Sequence, residues 1–479
     1  MTKEKIPVLF NGGMGARISS PPLAWDVSSY NLLTPTIDHE TFLQERPSTL
    51  IKSSHDTVGV VSGVALHLFM VRELQLGDRG GHLHRAFDHF PVPDIAERTW
   101  DKYYIQGGKP ENQPFANIPM ASMHPSKQLE EMAILANFSE VWLAKEGHDG
   151  YVGINYLDKI WSLNMASAFG ALLAGPHYMC VGAGFPKQFP EILKKLAKYE
   201  STEYRPYVEK AGKNEDYHMT FNPTNHVPAG RVEIDPAILT LILAYPALIE
   251  REVDQYGDII KAAIVEGPKA GGHLSPERPE KPFDLSKIGV PVYLAGGYGS
   301  PEGLVEAIDI HKAAGVSIAS ILALARGSGM IESLQQEIFR RYKNGTLEIV
   351  VNPTISPTGF RFRTVKGLGI ENPEIAAGRE KICDLGFLRH IAKIRDEQTN
   401  QERIEYYCPA DPSHGEAGCM CNFLAATAGY GQIRKSGEVE PPGVTLGADV
   451  SFLDKLKFPY TVREALDYML SGYRQRSAT

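Results

Sequence analysis

Two glycine-rich turns carry the strongest chemical signal in the chain. They are Glu266-Gly-Pro-Lys-Ala-Gly-Gly-His273 and Ala295-Gly-Gly-Tyr-Gly299, and their Gly-Gly pairs stand 25 residues apart. Each follows an apolar run of strand type, Ala262 to Val265 and Val290 to Leu294. A glycine pair lets backbone N–H groups approach an anion that any Cβ would hold away, and a strand-to-helix turn sets those donors at a helix N-terminus. A single pair among 45 glycines means little. Two pairs, each after a strand and one before a capped helix, point to a phosphate cradle. His273 stands at the edge of that cradle, where it could act as general base or position an anion.

Two further motifs end strands that would open on the same mouth. Asn11-Gly-Gly-Met-Gly15 closes the first strand and Gly153-Ile-Asn155 the third. Backbone approach plus a carboxamide suits a flat ring that alternates donors and acceptors, such as an isoalloxazine. Considered singly, each reads better as a turn glycine and a turn-capping Asn.

Metal patterns are weaker. His82 and His84, with Asp88 and His89 nearby, diverge on a helix and read as a solvated face. Cys408, Cys419 and Cys421, with Cys383 upstream and His414 between them, miss the paired Cys-x₂₋₄-Cys spacing of zinc sites. They read as buried free thiols, so no metal ligand is assigned. Five cysteines form an odd, sparse set that argues against a disulfide framework and for a reducing, cytoplasmic location.

The elements that must position these groups recur regularly. Eight apolar runs of strand length alternate with helical patterns: Pro7 to Phe10, Val58 to Val61, Tyr151 to Ile154, Tyr178 to Val181, Leu241 to Tyr245, Ala262 to Val265, Pro291 to Leu294 and Val316 to Ile321. Eight continuous apolar strands separated by helices predict a (β/α)₈ TIM barrel, an α/β fold, with an open doubly wound sheet as the alternative. Ser300-Pro-Glu-Gly predicts a helix opening just after the second glycine turn and running toward Ala314. Helical spacing is also expected over Ser126 to Glu146 and Asp158 to Leu173.

Residues 62–150 and 185–235 exceed a simple βα connection, and the first reads as a large helical insertion. Beyond about Thr346 the alternation stops and prolines multiply. The expected organisation is a barrel over 1–345 and a loop-rich cap or small domain over 346–479.

Composition excludes several classes. With 43% hydrophobic and 22% charged residues the chain reads as globular, and a formal charge of −8 disfavours a nucleic-acid or anionic-membrane surface. The most apolar stretch, Pro236 to Ile249, falls short of the roughly 20 residues a membrane span needs.

Taken together, Asn11-Gly-Gly-Met-Gly15, Gly153-Ile-Asn155, Val181-Gly-Ala-Gly-Phe-Pro186, Glu266-Gly-x-x-Ala-Gly-Gly-His273 and Ala295-Gly-Gly resemble the nitronate monooxygenase family, formerly 2-nitropropane dioxygenases. Ser356-Pro-Thr-Gly-Phe-Arg-Phe and Cys419-Met-Cys-Asn resemble a longer bacterial branch. The resemblance implies a TIM barrel that binds FMN non-covalently. It would assign Gly271, Gly272, Gly296 and Gly297 to the phosphate, Met14, Gly15, Asn155 and Glu266 to the ribityl chain or ring, and His273 to catalysis. The family's Gly-Thr or Gly-Ser after the last strand is Ala319-Ser320 here, so Ser320 keeps the hydroxyl. The implied reaction is oxidation of alkyl nitronates by O₂ to a carbonyl compound and nitrite. The same motifs resemble FMN-dependent enoyl-thioester and NAD(P)H:quinone reductases, which makes such a reduction the alternative. The expected partners are a small-molecule substrate and O₂, with self-association left open.

Overall fold

The computed structural model describes residues 8–477 apart from 13, 16, 33, 35, 275–282, 396–399 and 412–418. Eight parallel strands close on themselves: β1 (Val8–Asn11), β2 (Thr57–Ser62), β3 (Tyr151–Leu157), β4 (Tyr178–Gly182), β5 (Ile238–Leu243), β6 (Ile260–Glu266), β7 (Val292–Ala295) and β8 (Gly315–Ile318). Each strand pairs with its neighbours in sequence and β1 pairs with β8, as in a (β/α)₈ barrel. All eight predicted strands are present, shifted by a few residues at their ends.

Alternation along the strands decides what faces the barrel interior. Phe10, Val58, Val60, Cys180, Ala262, Ile264 and Tyr293 fill it, with the Phe10 ring 4.5 Å from Tyr293 and 5.2 Å from Tyr178. The intervening residues, among them Leu9, Ile154, Val181, Ala263 and Leu294, pack outward in the main core. Continuing the inward set one step along β3 and β6 brings Asn155 and Glu266 to the open, C-terminal mouth. In β1 the inward residue is Phe10, so Asn11 points outward with Leu9. Asn11 Nδ2 donates to Val60 O at 2.8 Å, and Asn11 Oδ1 accepts from the Val60 N–H. That carboxamide ties β1 to β2 and is spent there, contrary to the ring-facing role expected for it.

Helices cover the outer face. The 62–150 insertion is helical, over Leu66–Gln75, His82–Phe87, Pro93–Tyr103 and Lys127–Lys145. Ser126 caps the last of these by accepting from Leu129 N. The helix expected from Asp158 begins only at Asn164, because Asp158 N donates to Gly182 O and extends the β3–β4 pairing past the strand end. The helix capped by Ser300 runs over Pro301–Asp309 and stops short of Ala314, where Lys312 takes a left-handed φ of 56°.

The C-terminal region wraps back on the barrel. Ile349–Asn352 and Phe362–Val365 pair as antiparallel strands, and Gly272–His273 adds a third strand beside the second. The final helix, Val462–Ser477, packs on both Pro21–Ser28 and Pro301–Asp309, the neighbours of β1 and β7. No helix among the described residues is long and apolar enough to cross a membrane.

A buried charge network joins the β1 loop, the insertion and the C-terminal region. Arg17 Nη1 donates to Tyr430 Oη at 2.6 Å and Arg17 Nε meets Glu140 Oε1 at 2.9 Å. The Tyr430 hydroxyl donates to Glu73 Oε2 at 2.8 Å, and Arg79 grips the same carboxylate through Nε and Nη2. Burial opposes ionisation of Glu73, yet Arg79 and Arg17 together hold its pKa down at about 2, against 4.5 unperturbed. A carboxyl with a depressed folded pKa stabilises the fold above its unfolded pKa, and that stabilisation is lost as pH falls through the folded value. Glu73→Gln is therefore expected to cost about 3 kcal/mol at pH 7, measured by urea unfolding, with the difference vanishing toward pH 2. An unchanged midpoint at pH 7 would count against the network as a stabilising device.

Candidate functional site

A cavity of about 830 Å³ opens at the C-terminal ends of the strands. It is lined by Met14, Gly15, Asn155, Glu266, Gly271, Gly272, His273, Gly296, Gly297 and Ser320, so every site residue expected from the sequence meets in one place. Gly13 of the first-strand motif and His414 lie outside the described residues.

The glycine turns after β6 and β7 interlock. Gly267 N donates to Ala295 O at 2.8 Å, and Gly296 adopts φ +76°. A Cβ at Gly296 would lie 2.5 Å from Gly267 O and 3.0 Å from Ala270 N, both backbone atoms. A Cβ at Gly271 would lie 2.7 Å from the Leu446 carbonyl carbon. The two turns approach as closely as they do only because side chains are missing there. Ser300 accepts from Gly303 N at 3.0 Å and opens the Pro301–Asp309 helix directly after the second turn, which sets a positive helix end beside the cradle. Barrels that bind phosphate commonly do so with the loops after their last strands.

Two supports come from the C-terminal region, which sequence reasoning did not connect to the cradle. Arg363 Nη1 donates to Pro268 O at 2.9 Å and to Ala270 O at 2.7 Å, bracing the first turn from behind. Gly447 N donates to Ser320 Oγ at 2.7 Å, and Ala448 N to Lys269 O at 2.9 Å. The Ser320 hydroxyl is thereby fixed in place, and Gly447 joins the cavity lining. The Ala319 methyl faces Gly12, where a second Cβ would stand 3.0 Å away. No motif marks Arg363 or Gly447, which are joined to the turns only through the fold.

The reactive end gathers His273, Glu266 and Lys159. His273 Nε2 is 2.9 Å from Ser356 Oγ and 3.2 Å from Thr358 Oγ1, and those two hydroxyls are 2.7 Å apart. Phe360 and Phe362 meet the imidazole edge-on at 6.2 and 4.8 Å. Burial, reinforced by the nearby Lys159 charge, drives the His273 pKa down to about 2, so the ring is neutral in any ordinary buffer. Burial pushes Glu266 up to about 7, with Lys159 pulling the other way. Burial likewise pushes Lys159 down to about 7 against the pull of Glu266. Lys159 Nζ is buried without a hydrogen-bond partner and sits 5.3 Å from the Phe360 ring centroid. Lys159 carries no sequence signal, since a lone Lys after a strand reads as surface.

The rest of the wall is apolar. Phe360, Phe387, Leu388, Met420 and Leu424 line the cavity from the C-terminal region. Tyr298 also lines it, with its hydroxyl 3.5 Å from His311 Nε2.

Neither a family model nor a curated protein matches the chain. Among solved structures it is similar to FabK from Thermotoga maritima, at 13% identity over 99% of this chain and 94% of that one, with a TM-score of 0.48. A mutant of the same protein gives 12% identity over the same shares and a TM-score of 0.46. The enoyl reductase domain of MlnA from the macrolactin biosynthesis cluster of Bacillus amyloliquefaciens gives 13% identity over 54% of this chain and 60% of that one, with a TM-score of 0.31. Identities this low concern fold alone, and the barrel assignment here stands on the closed order of its own eight strands.

Proposed function

We propose that the chain is an FMN-dependent oxidoreductase that reduces the carbon–carbon double bond of an enoyl thioester at the expense of NAD(P)H. The flavin part of this reading is supported by the interlocked glycine turns at the cavity wall, where a Cβ at Gly296 or Gly271 would strike facing backbone and part the turns, and by a cavity of about 830 Å³, large enough for a flavin and part of a substrate. Bound FMN would supply a ring that accepts and returns a hydride. The residues fitted to hold it are Gly271, Gly272, Gly296, Gly297 and Ser320 at the phosphate, with Met14, Gly15, Asn155 and Glu266 further along.

One feature favours reduction over nitroalkane chemistry: His273 Nε2 is anchored by Ser356 and Thr358, while burial and the nearby Lys159 charge keep the ring neutral and weakly basic. A base that weak is poorly matched to deprotonating a nitroalkane, whose removal of a proton calls for a pKa near the working pH. A neutral imidazole anchored on Ser356 and Thr358 is suited instead to orienting an acceptor carbonyl. The apolar wall of Phe387, Leu388, Met420 and Leu424 gives an acyl chain a surface to lie on and excludes water from the reacting carbon.

Oxidation of alkyl nitronates by O₂ is the second reading, favoured by the buried Lys159 charge, which attracts a substrate that arrives as an anion and needs no base. An anaerobic titration followed in the visible decides between them. Bleaching of the yellow protein by NADPH or NADH is the expected result. Bleaching by a nitronate alone, with no response to either nicotinamide, would transfer the assignment to nitronate oxidation. A protein that stays colourless after incubation with excess FMN and gel filtration would remove both.

A further inference from the structure

Four of the five cysteines gather in one place although 38 residues separate the first from the last. Cys408, Cys419 and Ala410 form a buried cluster with Cys383 packed against it. The Cys383 and Cys408 thiols are hydrogen-bonded to one another, and Cys421 lies close to both Cys419 and Cys383. None is in a disulfide, and the fifth cysteine, Cys180, sits apart inside the barrel.

Burial alone explains a lone thiol, which packs as a small apolar side chain. It does not explain the donors turned toward these sulfurs. Asn422 Nδ2 donates to Cys419 Sγ at 3.6 Å. The backbone N–H of Gly386 is turned to Cys383, that of Ala410 to Cys408, and those of Phe387 and Leu388 to Cys421. Every sulfur has at least one N–H. A sulfur accepts such donors whether or not it carries its proton. The Cys408 thiol and burial raise Cys383, and burial raises Cys421, above the ordinary thiol range, so the weight falls on the convergence of four sulfurs in one place. A cation held among four buried sulfurs would neutralise them as they ionise.

We infer that Cys383, Cys408, Cys419 and Cys421 form a four-thiolate metal site, taking either Zn²⁺ or an iron–sulfur cluster. Both centres accept four cysteine sulfurs. With metal–sulfur bonds of about 2.3 Å, a tetrahedral Zn²⁺ site sets its sulfurs about 3.8 Å apart, the spacing of two thiols in van der Waals contact. Among the described residues no three thiol, imidazole or carboxylate groups already surround a common point at coordination distance. Binding therefore draws the sulfurs together, and for Zn²⁺ four S–H protons leave as four metal–sulfur bonds form. The donor to Cys419 is itself held: Asn422 Nδ2 also donates to Asp384 Oδ1 at 2.6 Å, and Asp384 pairs with Arg434 at 2.8 Å. An outer layer of this kind orients groups around a metal. Cys421 also lines the large cavity, so the centre would pin the wall against which substrate lies. This inference is independent of which reaction the cavity carries out.

The test is metal and acid-labile sulfide analysis of the full chain, purified without chelators and, in parallel, anaerobically. About one Zn²⁺ per chain, or about four Fe with matching sulfide, supports the site and tells the two centres apart. Cys408→Ser is expected to lower the bound metal at least about fivefold, while Cys180→Ser leaves it unchanged. Because Cys408→Ser could misfold, the wild-type chain provides a second measurement: a mercurial that blocks thiols should release the metal from folded protein as about four thiols react. Less than about 0.1 equivalent of transition metal, with no uptake on incubation with Zn²⁺ or with Fe²⁺ and sulfide, overturns the inference.

Discussion

Gly296→Ala is expected to yield a folded barrel that no longer retains FMN. Alanine at a φ of +76° costs about 1–2 kcal/mol of backbone strain. Its Cβ would also stand 2.5 Å from Gly267 O and 3.0 Å from Ala270 N, so the two glycine turns must part. Neither neighbour is the far end of a flexible side chain that could swing aside. The cradle widens, and FMN affinity should fall at least about 100-fold, equivalent to about 2.7 kcal/mol. Gly299→Ala is the control, because a Cβ there meets nothing within 4 Å and the residue is in the same loop. Fluorescence titration of FMN against both variants, with circular dichroism to verify folding, reads the result. Wild-type affinity in Gly296→Ala would mean that the phosphate lies elsewhere. Equal loss in both variants would mean that the loop responds to any added bulk.

How much of this was legible in the sequence follows from what each signal encodes. Strands buried on both faces must be apolar throughout, so the eight runs announced the barrel, and the two Gly-Gly turns announced close backbone approach. Parity was harder. Asn11 and Asn155 both follow barrel strands in Gly- and Asn-bearing motifs, yet Asn155 shares the inward set of β3 while Asn11 shares the outward set of β1 with Leu9. A one-residue difference in phase separates a cavity residue from a strand tie, and apolar residues on both faces conceal that phase. Which residues pair over long range is not encoded locally, even where a motif such as Ser356-Pro-Thr-Gly stands out. Arg363 bonds the carbonyls of Pro268 and Ala270 from about 95 positions away, and Ser356 reaches His273 from 83. The convergence of the cysteines was hidden for a related reason: spacing rules describe groups built on a single local turn, whereas these four thiols come from three segments brought together by folding.

His273→Ala is expected to lower kcat/KM by about 10²- to 10³-fold, the scale of losing one positioned hydrogen-bonding group at a reaction centre. The pH dependence tells which role is lost. With its pKa near 2, His273 contributes no ionisation to the activity profile between pH 5 and 9. Any limb near 7 belongs to Glu266 and Lys159, which burial moves to about 7 from opposite sides. That limb should therefore stay in place in His273→Gln, move to higher pH in Lys159→Met, where Glu266 loses the charge that held it down, and move to lower pH in Glu266→Gln, where Lys159 loses the charge that held it up. The stability profile gives an independent sign. An imidazole whose folded pKa lies far below its unfolded 6.5 stays neutral while the unfolded chain takes up a proton, so the fold weakens as pH drops from about 6.5 toward 2. His273→Gln has no such proton to take up, and its acid sensitivity over that window should be smaller than that of the wild type. If instead the limb near 7 vanished with His273 alone, the imidazole would be titrating in the working range, and a general base acting on a neutral nitroalkane would become the better account of the cavity.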